Sequence, residues 1–373
     1  MNVLFITNYP SPYRVEFFNR LGEICNLTVL FEEGIEKQVH RNKEWFNVEV
    51  EKFKAVFLKP IRIFKNNHIC VDIWKYLKEN KFDIIVACNY SSLTGMLAIY
   101  YMKKNRIKFA IEADGAIHKS GIGLKEKLKH YLISSANWWF SSSNLTDEYF
   151  IFYGGEKSKI YRYPFTSLIN QDILEKPINA DEKDTIRCKL GIKEKKVIVS
   201  VGQFIYRKGF DILINACKDI PRDVGVYIVG GKAPEEYIRR KEELKLQNVH
   251  FIDFKPKEEL KQYYMASDLF VLPTRFDAWG LVINEAMAFG LPVITTDKCV
   301  AGRELIEDGI NGYIVPAGCS DDLAEKINCI INNDQNRGKM ALMNLYKIRW
   351  YTIENMVNVH LEIFNKILKE TEK

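Results

Sequence analysis

The chain of 373 residues is 47% hydrophobic and 27% charged, and its formal net charge is +6 at pH 7. At about 150 residues per domain, this length predicts two domains. No run of residues approaches the ~18 uncharged apolar residues of a membrane-spanning helix. The chain has clusters of basic residues, but these carry no motif for nucleic-acid recognition. We therefore expect a globular protein that neither spans a membrane nor binds nucleic acid.

The first half of the chain alternates between strand-like and helix-like segments. The opening MNVLFITNYP lacks a basic flank and predicts a first strand, not a signal peptide, so we expect a cytoplasmic protein. Apolar runs predict strands at 2–7, 26–31, 83–88, 108–113 and 138–143. Helical patterns lie between them, which predicts a parallel sheet with helices on both faces.

A polar stretch at 170–196 interrupts this alternation and is the best linker candidate. Beyond it, strands are predicted at 196–202, 225–231, 249–254, 269–273, 292–296 and 312–315, with helices beginning near 209, 235, 257, 281, 303 and 321. The fold class is therefore α/β, with two doubly wound Rossmann-like domains at 1–172 and 190–349. Their strand C-termini are expected to face a shared cleft, where open α/β sheets bind ligands.

The eight cysteines form neither CxxC pairs nor any metal-ligand spacing. We expect buried, inert thiols, with neither disulfides nor zinc.

The segment GLKEKLKHYL at 123–132 predicts an amphipathic helix with an apolar face bordered by lysines. The face and its cations are Leu124, Leu128, Tyr131, Leu132, Lys125, Lys127 and Lys129. Two interpretations remain open. The helix either contacts an anionic membrane surface, with the protein peripheral on the inner face of the cell membrane, or packs on its own sheet.

The stretch RFDAWGLVINEAMAFGLPVITTD at 275–297 predicts a loop, a helix and a strand in succession. The helix begins at Gly280 and Leu281, where free N–H groups, including that of Val282, can bind an anion. Glu285 lies about one turn further in and can accept hydrogen bonds from the vicinal hydroxyls of a ribose, while Asp277 precedes the helix and can bind a second polyol. A turn role or a favourable helix-dipole contact would account for either acid alone.

Arg207 and Lys208 follow another predicted strand and precede Gly209 at a helix start. Two cations beside exposed helix N–H groups favour a diphosphate, although a solvated basic pair is the alternative. Together with the acids, they predict an anion flanked by two sugars, as in a nucleoside diphosphate sugar.

Four segments now carry a family resemblance: VGQFIYRKGFDILINA, VYIVGG, FIDFKPKEELKQYYMASDLFVLPTRFDAWGLVINEAMAFGLPVITTD and ELIEDGINGYIVPAGCSDDLAEKI. Residues 196–330 resemble the donor half of the retaining GT-B glycosyltransferases of family 4, also called glycosyl transferases group 1. The resemblance implies an N-terminal acceptor domain, a C-terminal nucleotide-sugar domain and no divalent metal or other cofactor. It also implies a last helix, within 350–373, that joins the N-terminal domain.

Transferred residue by residue, the family's pair of acids separated by seven residues falls on Asp277 and Glu285. Asp277 replaces the more usual Glu, and Gln203 replaces a frequent Arg, so that Arg207 would supply the second positive charge beside the diphosphate-binding Lys208. The resemblance implies further contacts with the nucleotide sugar from strand ends and the helix start, at Gly202, Gln203, Gly231, Phe254, Ala278, Trp279, Gly280, Leu281 and Val282.

The N-terminal half is similar to a subset of the family linked to surface polysaccharide assembly. Segments that follow its predicted strands supply candidate contacts with a saccharide or lipid-linked acceptor: Tyr13, Arg14, Asn89, Tyr90, Asp114 and Gly115. His118, one of six histidines, is a candidate contact with the transferred sugar, and an ordinary surface histidine is the alternative.

The resemblance implies transfer of a hexose-type sugar with retention, and front-face substitution is favoured because no double-displacement nucleophile is evident. UDP is the first expectation for the nucleotide and GDP the second. A nucleotide-sugar epimerase of the same fold, or a non-catalytic two-domain binding protein, remain alternatives. Linkage and oligomeric state are not predicted.

Overall fold

The computed structural model describes residues 1–33, 49–64, 67–79, 81–118, 121 and 123–371. The chain forms two compact units, one of Met1–Thr166 with Thr352–Lys373 and one of Ser167–Tyr351. The division falls at residue 167, whereas the sequence suggested a first domain to 172 and a second from 190.

The first unit is built on a parallel sheet. Its strands are β1 (Asn2–Thr7), β2 (Asn26–Phe31), β3 (Lys54–Phe57), β4 (Ile61–Phe64), β5 (Asn67–Ile69), β6 (Ile84–Ala87), β7 (Ala110–Ala113), β8 (Trp138–Ser141) and β9 (Ile160–Arg162). Seven of them pair in parallel in the order β3-β2-β1-β6-β7-β8-β9, and β4 pairs antiparallel with β5. Burial of both sheet faces explains why β1, β6, β7 and β8 read as continuous apolar runs.

Helices of the first unit follow its strands. They are α1 (Pro12–Gly22), α2 (Ile73–Glu79), α3 (Leu93–Lys104), α4 (Leu124–Ile133) and α5 (Asn144–Phe152). Serine caps begin α3 and α5, where Ser92 and Ser143 accept hydrogen bonds from the backbone N–H groups of Gly95 and Thr146.

The second unit repeats this plan. Its strands are β10 (Lys196–Val201), β11 (Val224–Val229), β12 (Val249–Ile252), β13 (Leu269–Leu272), β14 (Val293–Thr296) and β15 (Gly312–Val315). All pairs are parallel, in the order β12-β11-β10-β13-β14-β15. Its helices are α6 (Ala180–Leu190), α7 (Phe210–Ala216), α8 (Glu235–Glu243), α9 (Lys257–Ala266), α10 (Leu281–Ala288), α11 (Val300–Leu305), α12 (Ser320–Ile331) and α13 (Asp334–Ile348).

The α/β fold class is confirmed, and each predicted strand is present with ends shifted by no more than two residues. The linker prediction is corrected, because 170–196 contains α6. A capping box between Asn179 and Glu182 begins this helix, and Gly191 ends it. Buried Arg187 then ties it to Asp268, with Nη2 at 2.7 Å from Oδ2. The polar composition reflects an exposed helix face, not an unstructured connection.

The last helix, α14 (Ile353–Thr371), belongs to the first unit. Its apolar residues recur every three to four positions and pack on α1 and the sheet, where Phe364 lies 6.4 Å from Phe5 between ring centroids. None of the described helices is long and apolar enough to cross a membrane.

Candidate functional site

A topological switch point lies in the second unit between β10 and β13. Strands β11 and β13 lie on opposite sides of β10. The loops that follow β10 and β13 therefore run apart and leave a crevice between them. Lys208 follows β10 and Asp277 follows β13. The two predicted site segments therefore meet where an open α/β sheet binds its ligand.

Two cations converge on one carboxylate in this crevice. Lys208 Nζ lies 2.6 Å from Asp277 Oδ2, and Arg207 Nη1 lies 3.0 Å from Oδ1. The Lys208 and Asp277 side chains are each 12% exposed, whereas that of Arg207 is 42% exposed. The pairing leaves one net positive charge at the mouth of the site, which favours an anionic ligand.

Backbone contacts hold these side chains in place. The carbonyl oxygen of Arg207 accepts hydrogen bonds from the Arg275 N–H and the Thr274 hydroxyl, both at 2.8 Å. Asp277 donates its N–H to the Lys298 carbonyl and accepts from the Val300 N–H. Both loops are thereby fixed before any ligand arrives, which reduces the entropy lost on binding.

Two glycines let the chain and the cation approach closely. Gly280 precedes α10 with φ of 106°, and a Cβ there would lie 2.8 Å from the Cys299 sulfur. A Cβ at Gly202 would lie 3.2 Å from Cε of Lys208, so the lysine stem passes directly over this residue. The α10 N-terminus carries no side-chain cap, and the N–H groups of Leu281 and Val282 belong to its first turn.

The residues that the sequence predicts as ligand contacts differ in their exposure to solvent. Ala278 is exposed, whereas Trp279 is 3% exposed and donates its indole N–H to Asn284 at 2.8 Å. A ligand can therefore reach Ala278 but not the side chain of Trp279. Gln203 is exposed, and Phe254 after β12 is 37% exposed.

Glu285 lies one turn into α10 and is partly exposed. Its Oε2 accepts a hydrogen bond from the Tyr264 hydroxyl at 2.9 Å, and its Oε1 lies 3.5 Å from Ser167 Oγ. Burial raises the pKa of Glu285, while the hydrogen bond from Tyr264 opposes that shift. Tyr264 was not anticipated from the sequence, where it is one aromatic of QYYMASD.

A second polar cluster lies at the carboxyl ends of the strands in the first unit. Arg14 of α1 is 5% exposed and bridges two carboxylates, with Nη1 at 2.6 Å from Glu112 Oε1 and Nη2 in contact with Asp114 Oδ1. Asp114 Oδ1 also accepts from the Tyr163 hydroxyl at 3.0 Å. The guanidinium is thus occupied by acids, so Arg14 orients Asp114, whose side chain remains 30% exposed.

His360 of α14 completes this cluster. Its Nε2 lies 3.0 Å from Glu112 Oε2 and its Nδ1 lies 2.7 Å from the Met356 carbonyl oxygen. The contact with Glu112 joins α14 to β7 within the first unit.

The same cluster separates the pKa values of its two acids. Burial would raise the pKa of Glu112, but Arg14 and His360 outweigh it and lower that pKa to about 2. Burial raises the pKa of Asp114 to about 6 despite Arg14, and the charge on Glu112 adds to the rise. Asp114 is therefore the more readily protonated acid of the pair.

The remaining candidates of the first unit lie around its strand ends. Tyr13 packs edge-on against Phe165 at 5.6 Å, and burial raises the pKa of its hydroxyl. Asn89 donates to Glu32 at 3.0 Å, and the Tyr90 hydroxyl donates to that of Tyr149 at 3.1 Å. Gly115 is partly exposed beside Asp114.

His118 lies against Phe152 and Tyr153, with ring centroids 3.6 and 6.0 Å apart. Its role towards a sugar stays a prediction.

Sequence reasoning missed Glu112, Tyr163 and His360. Two of these residues had a signal in the sequence. Glu112 is a lone acid in the apolar strand KFAIEA, and His360 lies on the apolar face of NVHLEIF. Among the residues that the structure describes, no group of three or more His, Cys, Asp or Glu side chains could hold a metal ion.

Comparisons with known proteins show which family part of the chain resembles. Residues 182–342 match the family described as Glycosyl transferases group 1. Spore coat protein SA of Bacillus subtilis strain 168 is 26% identical over 288 residues, which cover 71% of this chain and 73% of that protein. Lipopolysaccharide glucosyltransferase WaaG of Escherichia coli K12 is 32% identical over 151 residues, which cover 39% of this chain and 37% of WaaG.

Solved structures resemble nearly the whole chain. HepE of Anabaena in complex with UDP superposes with a TM-score of 0.76 at 18% identity, covering 98% of this chain and 100% of HepE. Sucrose-phosphate synthase of Thermosynechococcus elongatus superposes with a TM-score of 0.77 at 16% identity, covering 99% and 100%. At these identities the likeness establishes the fold, which is GT-B.

Proposed function

We propose that this chain, whose residues 182–342 match the family Glycosyl transferases group 1 and whose fold is GT-B, is a glycosyltransferase that transfers a hexose-type sugar from a nucleoside diphosphate sugar. The proposed acceptor is a saccharide or lipid-linked saccharide of cell-surface glycan synthesis. UDP is the proposed nucleotide and GDP the next candidate.

One observation carries the proposal: Lys208 and Arg207 meet Asp277 at the switch point, directly before the uncapped N-terminus of α10. A diphosphate fits the cations and the helix N–H groups, and Glu285 on the same helix fits a ribose diol. Asp277 then faces the transferred sugar. Its carboxylate can accept hydrogen bonds from sugar hydroxyls while it keeps its bond to Lys208.

The nucleotide assignment draws support from named relatives. HepE has been crystallised with UDP and with UDP-glucose. WaaG is named as a glucosyltransferase that acts in lipopolysaccharide synthesis. These properties belong to the relatives, and for this chain they make UDP-glucose the first donor to test.

In the proposed reaction, the acceptor oxygen bonds to the anomeric carbon while the bond from that carbon to the diphosphate oxygen breaks. The electron pair leaves with the nucleoside diphosphate, and the acceptor proton passes to a phosphate oxygen of the leaving group. Lys208, Arg207 and the α10 N–H groups stabilise the developing negative charge, a preorganised effect of several kcal/mol. We propose retention of configuration and no requirement for a divalent metal.

On the acceptor side, Asp114 is the proposed hydroxyl-binding group. Both hydrogen bonds that the structure describes at its carboxylate end on Oδ1, which leaves Oδ2 for a ligand. The ionised form accepts a hydroxyl hydrogen, so acceptor binding should improve as the pH rises through about 6.

The proposed location is the cytoplasm, with peripheral contact to the inner face of the cell membrane through α4. Leu124 is 86% exposed and Leu128 43% exposed, and Lys125 and Lys127 flank them in solvent. Leu132, by contrast, is buried, so the exposed apolar face is narrower than the helical pattern predicted. Exposed leucines beside lysines suit an anionic lipid surface.

Thermal unfolding tests the donor site. The purified protein is heated with UDP, GDP, ADP and their common sugar conjugates, with and without EDTA. A ligand at 100 times its Kd should stabilise the native state by about 2.7 kcal/mol, which raises the Tm. A shift for one nucleotide that survives EDTA supports a metal-independent donor site, and no shift with any nucleotide contradicts the proposed function.

A further inference from the structure

Tyr264 is a buried residue whose hydroxyl group contacts a carboxylate. It lies on α9, is 2% exposed, and donates its hydroxyl to Glu285 Oε2 at 2.9 Å. A buried tyrosine hydroxyl requires such a partner, because an unsatisfied one would be costly. The carboxylate that it contacts is the one proposed to bind the ribose.

Aromatic packing fixes the direction of this hydroxyl. The Tyr264 ring stacks on Phe289, with centroids 5.5 Å apart and planes at 11°, and it lies 6.0 Å from Phe270. Phe289 directly follows α10, the helix that carries Glu285. The ring is therefore anchored to the same helix that it contacts through its hydroxyl.

The two oxygens of Glu285 are held unequally. Oε2 has the short hydrogen bond from Tyr264, whereas the contact that the structure describes for Oε1 is the 3.5 Å one with Ser167. Nearby charges are already paired, since Asp172 lies 2.8 Å from Lys257 Nζ and 3.3 Å from Lys261 Nζ. The contact with Tyr264 is thus the one short hydrogen bond that the described contacts give the Glu285 carboxylate.

We propose that Tyr264 is a positioning residue that gives the donor site its preference for ribonucleotides over 2′-deoxyribonucleotides, by fixing the plane of the Glu285 carboxylate. The terminal torsion of a glutamate is broad, so an unsupported carboxylate rotates freely. Vicinal hydroxyls pair with a carboxylate only when both oxygens are correctly oriented. The inference rests on the proposed function, because it deepens the role of the donor site.

The test compares two single-oxygen deletions on one helix. Tyr264→Phe keeps the ring and removes the hydroxyl, and Tyr263→Phe is the matched control, because Tyr263 is the neighbouring buried tyrosine of α9. Titration calorimetry measures binding of UDP and 2′-deoxy-UDP, or of the corresponding GDP or ADP pair if the wild type binds that nucleotide better. Thermal unfolding confirms that both variants are folded.

We expect Tyr264→Phe to weaken UDP binding by about three- to tenfold, the effect of one hydrogen bond, and to leave 2′-deoxy-UDP binding unchanged. Tyr263→Phe should change neither. A loss of affinity that is equal for the two ligands would assign Tyr264 a packing role and overturn the inference, as would unchanged binding of both.

A pH titration gives a second readout. The groups that face Glu285 are Tyr264 and Lys257 from α9 and Ser167 and Asp172 from the segment before α6. Burial raises the pKa of Glu285 and the Tyr264 hydrogen bond lowers it, so Tyr264→Phe should move the acid-side loss of UDP affinity to higher pH. If UDP affinity is lost at the same acidic pH in the variant and in the wild type, the inference is contradicted.

The two proposals fail in different ways. If the wild type binds none of the nucleotides, the proposed function falls and the inference falls with it. If the wild type binds UDP but does not distinguish it from 2′-deoxy-UDP, only the role of Tyr264 is overturned.

Discussion

Replacing Asp277 by Asn should affect nucleotide binding and sugar transfer in opposite directions. The carboxylate pairs with both Lys208 and Arg207, so a diphosphate has to share these cations with it. The same carboxylate is proposed to bind hydroxyls of the transferred sugar. Removing its charge therefore frees the cations for UDP but removes a contact to the sugar.

The magnitude follows from the two charge-assisted hydrogen bonds that end on Asp277. Each contributes about 1.5–3 kcal/mol, and if sharing weakens one of them by half, the loss is about 1 kcal/mol. Asp277→Asn should then bind UDP roughly fivefold more tightly. Loss of the charged contact to the sugar should lower kcat/KM for transfer roughly ten- to hundredfold.

The assay pairs calorimetry of UDP with transfer kinetics from the best donor. Lys208→Ala is the counterpart variant, because it removes a cation from the same ion pair and should weaken UDP binding and transfer together. Weaker UDP binding by a folded Asp277→Asn protein would refute the reasoning. It would mean that Asp277 organises the two cations for the diphosphate and does not compete with it.

Three further predictions concern other residues. Glu285→Ala should weaken UDP binding about tenfold or more through loss of the ribose contacts, and equal affinity of variant and wild type in calorimetry would remove that role. Asp114→Asn should stabilise the protein at pH 7 by about 1–2 kcal/mol after allowance for partial exposure, because the folded pKa of about 6 lies above the unfolded value near 4. The stability that protonated Asp114 gives the wild type is lost as the pH rises through this window. Urea unfolding should therefore show that the difference in free energy of unfolding between the variant and the wild type grows over the same window. A constant difference from pH 4 to 7 would contradict this prediction. Replacing Lys125 and Lys127 by Glu should abolish sedimentation with anionic vesicles, and undiminished sedimentation would leave α4 without a membrane role.

The sequence was sufficient to place Asp277, Glu285 and the start of α10 close together because the signals for this segment are local. Asp277, Glu285 and the α10 start lie within one loop and one helix turn, and the Gly, Pro and apolar spacing that positions them is readable from the chain. Apolar runs predicted the strands for the same reason. Strands of a parallel sheet are buried on both faces, so their consecutive residues are apolar.

Contacts between distant segments were decided by the tertiary structure alone. His360 and Glu112 are separated by 248 positions, and only the return of α14 to the first unit brings them together. Arg14 was predicted to contact the acceptor, yet in the structure its guanidinium contacts Glu112 and Asp114. Leu132 shared a helical face with Leu124, yet one is buried and the other is solvent-exposed. Periodicity assigns a residue to a face, whereas the neighbour that covers the face, and the charge that meets it there, depend on how the chain packs.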